Sequence, residues 1–234
     1  MHALGVNAAL TNVNHTAIEP CNYSFPPTTF LEAIALAATF TDIVLGTLPE
    51  AQTVFATDGG DETTLVKLFG SVLAQEGEQV GFFRFTQKKT PSAAPFLTGG
   101  SPAFAFSALK LFIVPDSCPQ PLSTINIPSF GPLNVLGQPQ AKESMLQYSI
   151  NGEISSSTHS IVYISGQNLP VTVPIWDVAI AAGVTTFKAN FPFQTGFAHG
   201  LTIAAVVKEV GTAYPTPDAV AAATVYGPGL IEVG

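Results

Sequence analysis

The period of the apolar residues changes once along this chain, near Cys118, and the change separates two kinds of structure. Before it, apolar residues recur at helical spacing. Leu65, Leu68, Phe69, Val72, Val80 and Phe83 mark one face of a helix between Thr64 and Phe83. After it come short runs of β-branched and apolar residues: Met145–Ile150, Ser160–Ile164, Val171–Trp176, Val184–Phe191, Leu201–Lys208, Val220–Tyr226 and Leu230–Val233. Turn residues separate them, including Asn151-Gly152, Gly166-Gln167-Asn168 and Gly227-Pro228-Gly229. Such short strands at regular spacing predict an antiparallel β-sandwich. The expected fold class is therefore α+β, with a helical domain over 1–117, a linker over 118–140 and a sandwich domain over 141–234.

Within the helical half, His2 to Val13 reads as a short helix. Thr29-Phe30-Leu31-Glu32 forms a capping box, because Glu32 is placed to reach back to the Thr29 amide. The helix it starts is expected to stop near Leu48, where Gly46 and Pro49 stand. Asp61 is the expected N-cap of the helix that follows, which should end near Phe85. Ser101-Pro102 opens another, running to about Ile113, with Pro at its first helical position.

One residue in these helices is out of keeping with its surroundings. Glu76 lies four residues after Val72 and four before Val80, so it points where they point. Burying a carboxylate costs several kcal/mol or more unless it is paired, hydrogen-bonded or bound to metal. A Glu-x-x-His on an inward helix face supplies half of a carboxylate-bridged metal site, but the fourth position here is Gln79. Asp42 fits a polar stripe on its own helix, Glu32 is a cap and Glu78 lies off the apolar face. His2, Glu76 and Gln79 are too few for a site that needs about six ligands. The reading preferred on ligand count is a Glu76 hydrogen-bonded by Gln79, a threonine or the backbone.

Other chemistry finds little support. With eight Lys and Arg and a net charge of −8, the chain lacks the basic face that nucleic acid or anionic lipid requires. The longest apolar run, Ala33 to Leu48, is broken by Thr39, Thr41 and Asp42 and falls short of a membrane span. No Gly-x-Ser-x-Gly is present, and His2, His15, His159 and His199 show no partner pattern. The acids of the second half, Glu153, Asp177, Glu209, Asp218 and Glu232, read as turn or edge residues. Neither Gly-bearing loop, Asp58–Asp61 or Leu97–Ser101, has a phosphate-binding spacing. The two cysteines, Cys21 and Cys118, each sit beside a proline, either bridging the ends of the helical segment or standing as two free thiols. Asn14 and Asn22 each begin a glycosylation sequon. Charged residues make up only 10% of the chain, which together with these features points to secretion. No signal peptide precedes His2, so an N-terminal segment is expected to have been removed or to be missing.

These residues together resemble a family. Cys21-Asn22-Tyr23-Ser24-Phe25-Pro26, a Phe30-Leu31 helix reaching Leu45-Gly46, and the Glu76 helix are similar to the fungal ferritin-like proteins of the late-sexual-development and stress-response type. So are Phe112-Ile113-Val114 with Ser117-Cys118-Pro119, and Tyr226-Gly227-Pro228-Gly229-Leu230-Ile231-Glu232-Val233. The resemblance spans about His2 to Val233. It implies a ferritin-like bundle, here partial, ahead of the sandwich. His2 falls at the histidine of the family's first Glu-x-x-His and Glu76 at the Glu of its second. Gln79 stands where that second motif has histidine, and Ala37 or Ala38 where the middle helix has Glu. The resemblance also implies a disulfide between Cys21 and Cys118. The expectation is a non-enzymatic, secreted, development-associated structural or storage-type protein that self-associates. No cofactor, bound metal, nucleic acid or membrane is expected. The alternative is an iron- or manganese-binding ferritin-like protein completed by a missing N-terminal segment or a neighbouring subunit.

Overall fold

The computed structural model describes residues 2–12, 14, 16–60, 63–194 and 196–234. Four helices come first: α1 (His2–Asn12), α2 (Phe30–Asp58), α3 (Thr63–Thr86) and α4 (Pro102–Lys110). Six strands follow: β1 (Asn134–Leu136), β2 (Ser144–Asn151), β3 (Ser160–Ser165), β4 (Val171–Ala181), β5 (Val184–Phe191) and β6 (Gly200–Val207). A short helix α5 (Pro217–Ala223) and the strand β7 (Thr224–Val233) close the order. The fold is α+β.

α2 starts at the capping box its sequence encodes. Glu32 N donates to Thr29 Oγ1 at 3.3 Å, and Thr29 N donates to Glu32 Oε2 at 3.1 Å. It does not stop at Leu48 but continues through Pro49 to Asp58. Pro49 removes one helical hydrogen bond, to Leu45. The turns beyond it are held from outside the helix: Gln52 Nε2 donates to Val66 O at 2.8 Å, and the Phe55 and Phe69 rings lie 5.1 Å apart. These contacts make α2 and α3 an antiparallel hairpin. Thr39 and Thr41 return their hydroxyls to Ala35 O and Ala37 O, which hides the polarity that breaks the run in sequence. By length and composition α2 is apolar enough to cross a bilayer. In the fold it pairs with α3 and lays Ile43 on the sheet. Asp61, expected to cap α3, lies outside the described residues.

The strands form one antiparallel sheet in the order β1-β2-β5-β4-β3-β6-β7. β4 is shared. Its first half, Val171 to Pro174, pairs with β3, and its second half, from Ile175, pairs with β5 across a bulge between Trp176 and Ala179. A bulge sharpens local twist, so what would be two facing sheets is one curled sheet of barrel-like form. Its two edges meet where Gly131 bridges Tyr226. The interior is filled by residues such as Tyr148, Ile150, Tyr163, Ile175, Phe187 and Phe191. The Tyr148 and Tyr163 hydroxyls satisfy each other at 2.7 Å, as buried polar groups must. β3 and β6 are buried on both faces, which is why they read as unbroken apolar runs. Their outer faces are covered by Ile43 of α2, Phe104 of α4 and Val220 of α5.

Two boundaries differ from the sequence reading. The segment expected to be a linker contributes β1 and the buried Leu133. Val220 lies in α5 rather than in a strand, because Thr216 caps the run and Pro217 presets its first turn. The helical and β parts share one core. The 97–101 loop crosses α2 at Gly46, where an added Cβ would collide with the Thr98 carbonyl. Thr98 Oγ1 donates to Leu201 O at 2.5 Å and accepts from Gly166 N at 2.9 Å, fixing that loop to the sheet.

Candidate functional site

Glu76 is the residue that sequence reasoning singles out, and the fold supplies it with a partner. Its Oε1 lies 3.0 Å from His2 Nδ1, which brings α1 against α3. This corrects the expectation of a Gln79, threonine or backbone partner. Gln79 turns away and donates to Gln75 Oε1 at 2.6 Å, along its own helix. Glu76 Oε2 is buried without a hydrogen bond. The structure thus joins His2 to Glu76 and leaves Gln79 apart. Among the described residues, no three His, Cys, Asp or Glu side chains converge as a metal would require.

Cys21 and Cys118 are bonded across 97 residues of chain, with Cα atoms 4.1 Å apart. The bond caps a short antiparallel pairing. Ser24 N donates to Phe112 O at 2.8 Å, and Val114 N donates to Asn22 O at 2.9 Å. Asn14 and Asn22 are both exposed. His15, the middle of the first sequon, lies outside the described residues.

The densest polar chemistry in the fold is elsewhere. Asp42 of α2, Arg84 of α3 and Glu232 of β7 meet under the helical hairpin, and Asp42 and Arg84 are only 8% and 3% exposed. Arg84 Nε donates to Thr90 O at 2.7 Å, and its Nη1 lies 3.4 Å from Glu232 Oε2. The Asp42 and Glu232 carboxyls lie close enough for each to act on the other's titration. Burial, then the negative Asp42 beside it, push the Glu232 carboxyl up to about 8. Burial also raises Asp42, against the pull of Glu232, Arg84 and Lys89. A carboxyl raised this far can give or take a proton near neutrality. The flanking Arg84 and Lys89 make it a poor cation site.

Beside the cluster lies a cavity of about 300 Å³. Asp42, Arg84, Thr98 and His199 supply its polar wall, and Leu45 and Val80 are among its apolar walls. The His199 ring packs on Phe193 with centroids 4.6 Å apart.

Asp42 is thus corrected from a polar stripe to a buried group, while Glu232 lies on the edge strand β7 as an edge residue, partly buried beneath the helices. For Asp42 a signal was present: it is the single charge between Glu32 and Glu50. For Glu232 there was none, since alternation in a strand does not say which face is covered by a helix. No protein-family model matches this chain, and no curated protein matches it in sequence.

Proposed function

We propose that this is a secreted, non-enzymatic structural or storage-type protein that assembles with copies of itself. In this reading it is of the fungal late-sexual-development ferritin-like type, with a partial, degenerate ferritin-like segment and a C-terminal β-sandwich that curls toward a barrel. The observation that carries it is the outer face of the α2–α3 hairpin. Phe30, Leu31, Val54, Phe82 and Phe85 stand 69%, 58%, 54%, 61% and 68% exposed. Apolar surface on that scale marks an interface. A second copy is the occupant favoured by composition, because charged residues form only 10% of the chain and oppose close packing weakly. The Cys21–Cys118 disulfide and the exposed Asn14 and Asn22 support secretion. Neither nucleic acid nor a membrane is assigned as a partner.

The orphaned Oε2 of Glu76 favours a second reading, in which a neighbouring subunit or an N-terminal segment completes an iron or manganese site around His2 and Glu76. Light scattering over a concentration series tests the first reading. The chain should form assemblies that Phe82→Glu with Phe85→Glu disperses. A monomer that persists at high concentration would refute it, and stoichiometric iron or manganese in the assembled protein would favour the second.

A further inference from the structure

The helices cover the sheet over β3 and β6, and the outer face of β1, β2, β5 and β4 stays open to solvent. Along β2 and β5 the residues alternate between the interior and that open face. Directly paired residues point to the same side, so the outward ones form rows across the strands. One row runs Leu136, Gln147, Lys188, Trp176. Ser149 and Thr186, also paired, belong to the row beside it. Trp176 is the only tryptophan of the chain, and it is exposed at one end of the first row. Leu136 is exposed at the other end, and the face between them is polar.

A local irregularity completes the surface. β4 bulges between Trp176 and Ala179, and Asp177 within the bulge has a φ of 49°, a left-handed backbone that few residues other than glycine adopt. A bulge re-aims a side chain. Here Lys188 Nζ donates to Asp177 Oδ2 at 2.9 Å, beside Trp176, and both groups remain exposed. The pair cancels its own charge. Gln147 and Thr186 have no side-chain hydrogen-bond partner among the described residues.

These features select the occupant. An anionic ligand finds no surplus cation, because Lys188 is already paired. An apolar protein surface would bury the Lys188–Asp177 pair and the Gln147 amide without giving them partners, which is costly. A neutral sugar meets both demands. A β-linked pyranose has a flat face of C–H groups and a rim of hydroxyls. The ring can lie on the indole while the hydroxyls reach Gln147, Lys188 and Asp177, each of which has hydrogen-bonding capacity to spare. Strands about 4.8 Å apart make the four-residue row about 14 Å long, room for about three such rings. The sheet holds these groups in place before binding, so little ordering entropy is lost.

We propose that the outer face of β1, β2, β5 and β4 binds a neutral β-linked polysaccharide, with Trp176 as the stacking platform and Gln147, Lys188 and Asp177 as the hydroxyl contacts. The site is independent of the assembly proposed above, since none of the exposed hairpin residues invoked there belongs to it.

Titration of the full chain with cellohexaose, laminarihexaose and chitohexaose, followed by the fluorescence of its single tryptophan, tests the proposal. A saturable blue shift with at least one of them is expected, and none with the α-linked maltohexaose. Calorimetry then reads the variants. Trp176→Ala should weaken binding about tenfold or more, and Gln147→Ala about threefold. Both positions are exposed, so the fold should tolerate either change. Weakened binding in Gln147→Ala supports the site even if Trp176→Ala fails to fold. No saturable response to any of the three β-linked sugars, an equal response to maltohexaose, or unchanged affinity in folded Trp176→Ala overturns it. So does a Trp176→Ala that disperses the assemblies while the wild type binds no sugar, which would give this face to a second copy.

Discussion

Replacing Glu232 with glutamine should remove most of the pH dependence of this protein's stability. Glu232 keeps its proton up to about 8, against an ordinary value of 4.5. A carboxyl whose pKa is raised on folding binds its proton more tightly in the folded chain. Its contribution is complete below about 4.5, is lost as the pH rises, and is gone above about 8. The shift of roughly 3.5 pH units, at 1.36 kcal/mol each, corresponds to about 5 kcal/mol. That is a large part of the 5–15 kcal/mol by which domains are ordinarily stable. Asp42, raised by the same burial, acts in the same direction. His159 opposes them: burial lowers its pKa, so its contribution is lost as pH falls below about 6.5. Glu32, lowered by hydrogen bonds from Thr28 and Thr29, acts only below the window. Glutamine imitates the protonated acid at every pH. Urea unfolding followed by far-ultraviolet circular dichroism at pH 5, 7 and 9, with the disulfide intact, reads the effect. Trp176 is 55% exposed and would report folding poorly by fluorescence. The wild type should lose several kcal/mol between pH 5 and 9. Glu232→Gln should match it within about 1 kcal/mol at pH 5 and lose less than half as much by pH 9. A wild type equally stable at pH 9, or a variant with an unchanged slope, would refute this account of Glu232.

Reduction of the Cys21–Cys118 bond should cost about 4–5 kcal/mol in the chain-entropy model, because it closes a loop of 97 residues. Intact mass after alkylation should show no free thiol before reduction and two after it. Glu76→Gln should change stability by less than about 1 kcal/mol, since the His2–Glu76 contact is partly exposed; elemental analysis should find no stoichiometric metal to lose. A larger loss in thermal unfolding, or iron or manganese that disappears in Glu76→Ala, would show that Glu76 does more than pair with His2. Gly46→Ala should destabilise by roughly 3 kcal/mol or more, because its Cβ would meet the Thr98 carbonyl rather than a movable side chain; thermal unfolding decides it.

The sequence was most legible where a local signal had no competitor. The capping box of α2, the Ser101-Pro102 helix start and the alternation of β5 all stand as their residues imply. Legibility failed where distant contacts decided the outcome. Pro49 is a stop signal by local rules, and it is overridden because Gln52 and Phe55 find partners on α3. The Gly227-Pro228-Gly229 run reads as a turn between two strands, yet it lies within β7, which pairs with β6 on both sides of it. At the candidate site, Glu76 was conspicuous because its helix is amphipathic. Arg84 carried the same signal, four residues after Val80 on the stripe of Glu76, but the neighbouring Phe82, Phe83 and Phe85 masked it. That His2 would reach Glu76, or Glu232 reach Arg84, could not be read from spacing: the pairs are 74 and 148 residues apart.

The link between Arg84 and β7 has a consequence for how the chain must be made. At the usual pace of synthesis, 148 residues take on the order of 7–30 s. Through that interval the α2–α3 hairpin has left the ribosome with neither its sheet nor Glu232 to rest against. Its guanidinium then has Thr90 and Asp42 but not Glu232, and the side of α2 that will cover β6 is open to any apolar surface nearby. Nascent chains on the same message would be exposed to one another through this hairpin before any of them is complete. A chaperone or a pause that shields residues 30–86 should matter more to the yield of this protein than any change in its finished stability.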